Sequence, residues 1–190
     1  MAKVCVITGG GSGMGLEAAK FMPKDRIILL SGRTESKLQK AVAELAALGF
    51  EAYEKTCDTS NRESVKALAA YAVSLGKVTT VINSAGLSPA MADPETIVRV
   101  NALGTVYMNE EFSKIMKKGG VIVDVASNSA YVLPKFLINK KLYAPADNAG
   151  EKVVKKIVNK EQPAKGYYQP SGTADALTTT FGRRSARHGS

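Results

Sequence analysis

The chain is poor in cysteine, holding two in 190 residues, and a disulfide framework needs more. Cys5 and Cys57 fall in the first and third of the strand-like segments described below. With one strand between them, their backbones stand about 9–10 Å apart, beyond the ~7 Å reach of a disulfide. Both are read as reduced. Long apolar runs are also missing: nothing approaches the ~18 residues of a membrane-spanning helix. The N-terminus offers only about five apolar positions before a glycine cluster, too few for a signal-peptide core. With 45% hydrophobic and 23% charged residues, disorder throughout the chain is excluded as well. A cytoplasmic globular enzyme or binding domain, without membrane or metal, is the expectation.

Basic excess is scarce where it would matter for nucleic acid. The net charge is +9, but residues 1–132 carry 15 basic and 13 acidic side chains, a balance of only +2. Residues 133–190 carry 11 and 4, or +7. A charge confined to one segment reads as a solvated face, and no nucleic-acid partner is expected.

What is present is an alternation. Apolar runs at Val4–Thr8, Ile27–Leu30, Val78–Ile82 and Val121–Val125 are rich in Val and Ile, as parallel strands covered on both faces require. Glu51–Cys57 supplies a less regular fifth. Between them lie helix signals. Ser36 and Gln39 have capping-box spacing ahead of Leu38, Ala41, Val42, Leu45 and Leu48, with Gly49 as terminator. Ser60 and Glu63 repeat the device before Val65, Leu68, Ala72 and Leu75, closed by Gly76. Asp93 and Pro94 suit an N-cap and first helical residue before Ile97, Val98 and Val100. The pattern predicts an α/β fold: a Rossmann-like, doubly wound parallel sheet in the order 3-2-1-4-5, truncated after the fifth strand. Residues 1–132 form that domain, 133–166 an insertion, and 167–190 an atypical tail. Residues 176–181 are β-prone and are read as a makeshift sixth strand.

The first run enters Thr8-Gly9-Gly10-Gly11-Ser12-Gly13-Met14-Gly15. A glycine-rich turn opening a helix presents backbone N–H groups to a pyrophosphate at the positive end of the helix dipole. Gly9 and Gly13 suit the tight turn, and Gly15 suits close helix–strand packing.

Here the chain resembles the short-chain dehydrogenase/reductase family, whose motif is TGxxxGxG. Further landmarks follow in order. Asp58 matches the acid that hydrogen-bonds the adenine amino group. Asn83-Ser84-Ala85-Gly86 is similar to the family's NNAG, with Ser84 in place of the second Asn. Asn101 matches the structural and catalytic asparagine, and Ser127 lies where the catalytic serine closes the fifth strand. The resemblance implies cofactor contacts from Gly9, Gly11, Ser12, Gly13, Met14, Gly15, Asp58, Asn83, Ala85 and Gly86.

Cofactor choice follows from charge. An acid about 20 residues past the glycines would hold the ribose 2′-hydroxyl of NAD. The second run instead ends Ser31-Gly32-Arg33-Thr34, with no acid. Arg33 suits a 2′-phosphate, with Ser31 or Thr34 adding a hydroxyl. NADP(H) is therefore expected ahead of NAD(H). The alternative is an exposed arginine beside Glu35.

The family's chemistry pairs the serine with a YxxxK tyrosine and lysine. Tyr131 precedes Lys135 at that spacing, but Pro134 would break the turn joining them, and Tyr131 is only four residues past Ser127. Tyr168 fits better, with Tyr167 its rival. Its long interval from Ser127 is similar to the 3α-hydroxysteroid dehydrogenase/carbonyl reductase members, which carry an insertion there. Four residues after Tyr168 stands Gly172, not lysine. The expectation is an oxidoreductase interconverting a secondary alcohol and a carbonyl compound, a steroid or other hydrophobic molecule. Ser127, Tyr168 and Asn101 would be catalytic, in a monomer or homodimer. The alternative is a dinucleotide-binding protein impaired in turnover by the missing lysine.

Overall fold

The computed structural model describes residues 1–127. Five strands, β1 (Lys3–Thr8), β2 (Arg26–Gly32), β3 (Ala52–Thr56), β4 (Lys77–Asn83) and β5 (Val121–Asp124), form one sheet. All pairs are parallel and the order is β3-β2-β1-β4-β5, as the alternation predicts. Helices α1 (Gly13–Lys20), α2 (Glu35–Ala47), α3 (Arg62–Leu75), α4 (Pro94–Val98) and α5 (Gly104–Ile115) connect them. The fold is Rossmann-like.

Strand periodicity divides the core in two. Val4 and Val6 of β1, Leu29 of β2 and Val81 of β4 pack with Leu68 and Ala72 of α3 and Met108 and Phe112 of α5. Cys5 and Ile7, one position out of step, face Leu16 of α1 and Leu38, Ala41 and Leu45 of α2 on the other side. Strands buried on both faces cannot alternate polar and apolar residues, which explains their continuous apolar runs. Cys5 and Cys57 are buried and free, and they belong to opposite faces.

Two helix starts differ from the spacing argument. α2 begins at Glu35 with Thr34 in the capping position and no side-chain cap, so Ser36 lies inside the first turn. Leu48, past the end of α2, is exposed rather than buried. α3 is capped by Asn61, not Ser60. The Asn61 carboxamide oxygen accepts from the Glu63 and Ser64 amides at 2.9 and 3.1 Å, while Ser60 donates to Asp58. Asn61→Ala is expected to lower stability by about 1 kcal/mol, read as a lower urea midpoint at unchanged m-value. A Ser60→Ala loss as large would return the cap to Ser60. Asp93 caps α4 as expected, accepting from the Thr96 amide at 3.0 Å with Pro94 in the first turn.

Between α4 and α5, residues Arg99–Leu103 form a π-helical turn that carries Asn101. Among the described residues no helix is long and apolar enough to cross a membrane. Tyr131, Tyr168, the segment boundaries at 132 and 166, and the 176–181 segment lie outside the described residues.

Candidate functional site

The carboxyl ends of β1, β2, β3 and β4 border a cleft of about 250 Å³. A parallel doubly wound sheet opens such a crevice where strand order reverses, here between β1 and β4. Its floor is the glycine turn. Gly9 has φ +66°, and a Cβ there would stand 2.9 Å from the Ala85 amide nitrogen. Gly13 has φ +58° with open space around it, so its requirement is conformational alone. Gly15 is constrained by contact: a Cβ would come within 2.6 Å of the Gly9 carbonyl oxygen and the Ser84 hydroxyl. The close approach is thus between α1 and the two loops, where helix–strand packing had been expected. Ser12, at the start of α1, makes no side-chain cap and the first turn holds no acid, which leaves the helix's positive end open to an anion.

The two glycine-bearing loops are tied to each other. The Ala85 amide donates to Thr8 Oγ1 at 3.2 Å, and Ser84 Oγ donates to the Thr8 carbonyl at 2.8 Å. The Gly10 amide donates to the Ser31 carbonyl at 3.0 Å, fixing the turn to β2 as well. Asn101 holds the far side. Its Oδ1 accepts from the Leu87 amide at 2.8 Å and its Nδ2 donates to the Leu87 carbonyl at 2.9 Å. The carboxamide therefore clamps the backbone after Gly86, one bond at each of its polar atoms.

Charge enters from β2 and α2. Arg33 and Thr34 line one wall together with Lys37, in the first turns of α2. Neither the Arg33 nor the Lys37 side chain makes a hydrogen bond or ion pair with another described residue, and Glu35 instead accepts from Gln39. Lys37 approaches the glycine turn closely, since a Cβ on Gly11 would lie 3.2 Å from its own. Asp58 sits on the opposite wall. One carboxylate oxygen accepts from the Ser60 amide and hydroxyl at 2.9 and 2.7 Å, leaving the other available. Leu38, Leu87, Met91 and Val100 supply apolar lining. Cys57 also borders the cleft, but burial pushes its thiol up, so it stays protonated at neutral pH. Burial likewise pushes Cys5 up to about 12.

Of the residues expected around a cofactor, Gly9, Gly11, Ser12, Arg33, Thr34, Asp58, Ala85 and Gly86 line the cleft. Gly13, Met14 and Gly15 shape the turn behind it. Ser31, one residue before the end of β2, and Asn83, at the end of β4, are buried and do not line it. Ser127 lies three residues past β5, at the same end of the sheet. Sequence reasoning missed Lys37, Thr59, Leu87, Met91 and Val100. None carried a signal: Lys37 stands four residues after Arg33 but shares no helix with it, since α2 begins at Glu35 after an extended Thr34.

A glycine turn, an open helix terminus and a switch-point cleft define a dinucleotide-binding class of fold. The chain matches the short chain dehydrogenase family over residues 3–165, and it belongs to that family. It is 33% identical over 133 residues to a short-chain dehydrogenase/reductase of Alternaria brassicicola, covering 70% of this chain and 48% of that protein. It is 29% identical over 165 residues to the 7alpha-hydroxysteroid dehydrogenase of Escherichia coli, covering 82% and 64%. The chain thus spans about half to two thirds of the length of these relatives. Among solved structures, an actinorhodin polyketide ketoreductase with NADPH matches with a TM-score of 0.70 at 23% identity, covering 99% of this chain and 67% of that one. At that identity the likeness is one of fold.

Proposed function

We propose that the chain carries the cofactor-binding part of an NADP(H)-dependent oxidoreductase that interconverts a secondary alcohol and a carbonyl compound. One observation carries the cofactor choice: Arg33 and Lys37 line a cleft whose β2 end holds no acid, and neither is neutralised by another described residue. Two unpaired cations beside the adenosine end of such a cleft favour a 2′-phosphate over a 2′-hydroxyl. The residues present fit the group: Gly9 and Gly11 line the cleft, and α1 opens behind it with no side-chain cap and no acid in its first turn, which leaves its positive end free for a pyrophosphate. Backbone amides from Gly11 to Gly13 would face the pyrophosphate, Asp58 the adenine amino group, and Leu38 and Val100 the base.

When bound, a nicotinamide dinucleotide supplies or accepts hydride at the substrate carbon. Ser127 would donate a hydrogen bond to the substrate oxygen, and Tyr168 would carry the proton. Asn101 would support them by fixing the loop at Leu87. A second reading is favoured by the sequence itself: Gly172 stands where the resemblance places a lysine. A phenol with no neighbouring cation keeps a pKa of about 10 and moves protons poorly at neutral pH, and losing positioned acid–base catalysis costs roughly 10²- to 10⁴-fold. In that reading the chain binds dinucleotide and turns over weakly.

Fluorescence titration with NADPH and NADH, followed by a carbonyl-reduction assay on hydrophobic ketones, tests both. NADPH is expected to bind at least about 10-fold more tightly, the equivalent of one charge-assisted contact of ~1.5 kcal/mol. Equal or tighter NADH would sink the cofactor assignment. Robust reduction abolished by Tyr168→Phe would dispose of the impaired reading.

A further inference from the structure

The last rung of the sheet is polar, and it runs across three strands. Thr8 of β1 registers with Asn83 of β4, and Asn83 with Asp124 of β5. On this rung the side chains leave the sheet on the α5 side, where Asn109 of α5 meets them. Asp124 Oδ1 accepts from Asn83 Nδ2 at 2.9 Å, and Asp124 Oδ2 accepts from Asn109 Nδ2 at 2.9 Å. Asn83 Oδ1 in turn accepts from Thr8 Oγ1 at 3.3 Å, and Thr8 Oγ1 accepts from the Ala85 amide at 3.2 Å.

This chain of bonds has a direction, and Asp124 sets it. A carboxylate only accepts, so both neighbouring carboxamides must turn their NH₂ groups toward it. That turns the Asn83 oxygen toward Thr8, which commits the Thr8 proton to Asn83 and leaves the Thr8 oxygen as acceptor for Ala85. The cost of the arrangement is visible at Asn109, whose buried Oδ1 has no hydrogen-bond partner. Such an orphan is unfavourable. It is tolerated here because the reverse orientation would set two acceptors against each other at Asp124.

We infer that Asp124 is a positioning residue for the dinucleotide cleft: it fixes, through Asn83 and Thr8, the place of the Ala85–Gly86 backbone that borders the glycine turn. The inference rests on the dinucleotide reading above. The hydrogen bonds of Asp124 go to Asn83 and Asn109, neither of which lines the cleft, and its influence travels through a contiguous set of three hydrogen bonds. Asparagine at 124 is close to isosteric but offers one acceptor oxygen and one donor group in place of two acceptors. An Asn109 flip absorbs that change, because the Asn109 oxygen has no other partner, and Asn83 then keeps its orientation. Alanine at 124 removes both acceptors, so nothing holds the Asn83 carboxamide in the orientation that commits Thr8.

The reciprocal exchange repairs this. In Asn83→Asp combined with Asp124→Asn, the new carboxylate at 83 accepts from the new Nδ2 at 124 and from Thr8 Oγ1. The new oxygen at 124 accepts from Asn109. Direction at Thr8 and Ala85 is restored with the same atoms in the same places.

The test measures, on the folded 190-residue chain, NADPH and NADH dissociation constants and the hydrogen-exchange rate of the Ala85 amide. Wild type, Asp124→Ala and the double exchange are compared. Asp124→Ala is expected to weaken whichever dinucleotide wild type binds by at least about 10-fold, in line with loss of one hydrogen bond to a charged group, and to speed Ala85 exchange. The double exchange is expected to recover most of both. A purely structural aspartate would change the unfolding midpoint while leaving the folded protein's affinity and Ala85 exchange as in wild type, and that result overturns the inference. So does failure of the double exchange to recover either quantity in a folded protein. Absence of dinucleotide binding by wild type would instead overturn the dinucleotide reading, and Ala85 exchange alone would then decide whether Asp124 positions this backbone.

Discussion

In the variant carrying Arg33→Ala and Lys37→Ala, the NADPH dissociation constant is expected to rise about 100-fold while that for NADH moves less than about 3-fold. Charge-assisted hydrogen bonds contribute about 1.5–3 kcal/mol each. Arg33 and Lys37 are exposed, so the lower end applies: about tenfold for each cation. Neither is held by a carboxylate among the described residues, so nothing must be broken before they meet a phosphate. The same exposure makes the preference salt-sensitive, and raising ionic strength should erode the wild-type advantage of NADPH but not the affinity for NADH. Parallel loss of both cofactors would show that these side chains hold the shared adenosine or the fold of the wall itself.

Gly15→Ala sets two physical effects against each other. By helix propensity alone, alanine in α1 would stabilise by about 0.8–1.0 kcal/mol. The new Cβ, however, meets the Gly9 carbonyl oxygen and Ser84 Oγ at 2.6 Å, and backbone on one side cannot rotate away. Overpacking of this kind costs about 1–3 kcal/mol, so the net result is a loss of stability. Displacing the Gly9 carbonyl also moves the turn whose amides face the cleft, and dinucleotide affinity is expected to fall more than about 10-fold. Gly13→Asn provides the contrast. Its position has φ +58° and open space, a conformation asparagine tolerates, and its effect on stability should stay near 1 kcal/mol or below. Chemical denaturation and NADPH titration of the two variants separate contact from conformation. A Gly15→Ala protein more stable than wild type would mean that the loops yield.

The sheet was legible because its strands leave a one-dimensional trace. Runs such as Ile27–Leu30 are apolar without alternation only when both faces are covered, and the helical runs between them force a parallel order. The glycine turn was legible for a similar reason, since the requirement at Gly9 and Gly13 is local to the backbone. Caps were read less well. Ser60 and Asn61 are both good N-caps, and the choice falls to Asn61 because Asp58 already engages Ser60, a matter of loop geometry that residue preference does not encode. The cleft was legible where it is built by backbone and illegible where it is built by convergence. Met91, Val100 and Lys37 reach the same space from three different elements, and nothing in their own neighbourhoods says so. Ser31 fails for the opposite reason: its position near a strand end suggests access, but the pleat turns its side chain inward.

The central place of β1 has a consequence for the order of folding during synthesis. Lys3 pairs with Arg26 on one side and with Lys77 on the other, so one edge of β1 must wait while β2, β3 and α3 are translated. At about 5–20 residues per second, those roughly 50 residues take several seconds to emerge. That is long compared with loop closure and hairpin-scale pairing. The β1–β2–β3 half, with α1 and α2 packed on one face, therefore has time to assemble while the β1 edge that β4 will occupy stays bare. The glycine turn belongs to that early half, whereas the loop that closes over it follows β4. A nascent chain stalled before residue 77 would display an unpaired strand edge rich in apolar residues, Val4 to Ile7, which is the kind of surface that chaperones bind and that other chains extend.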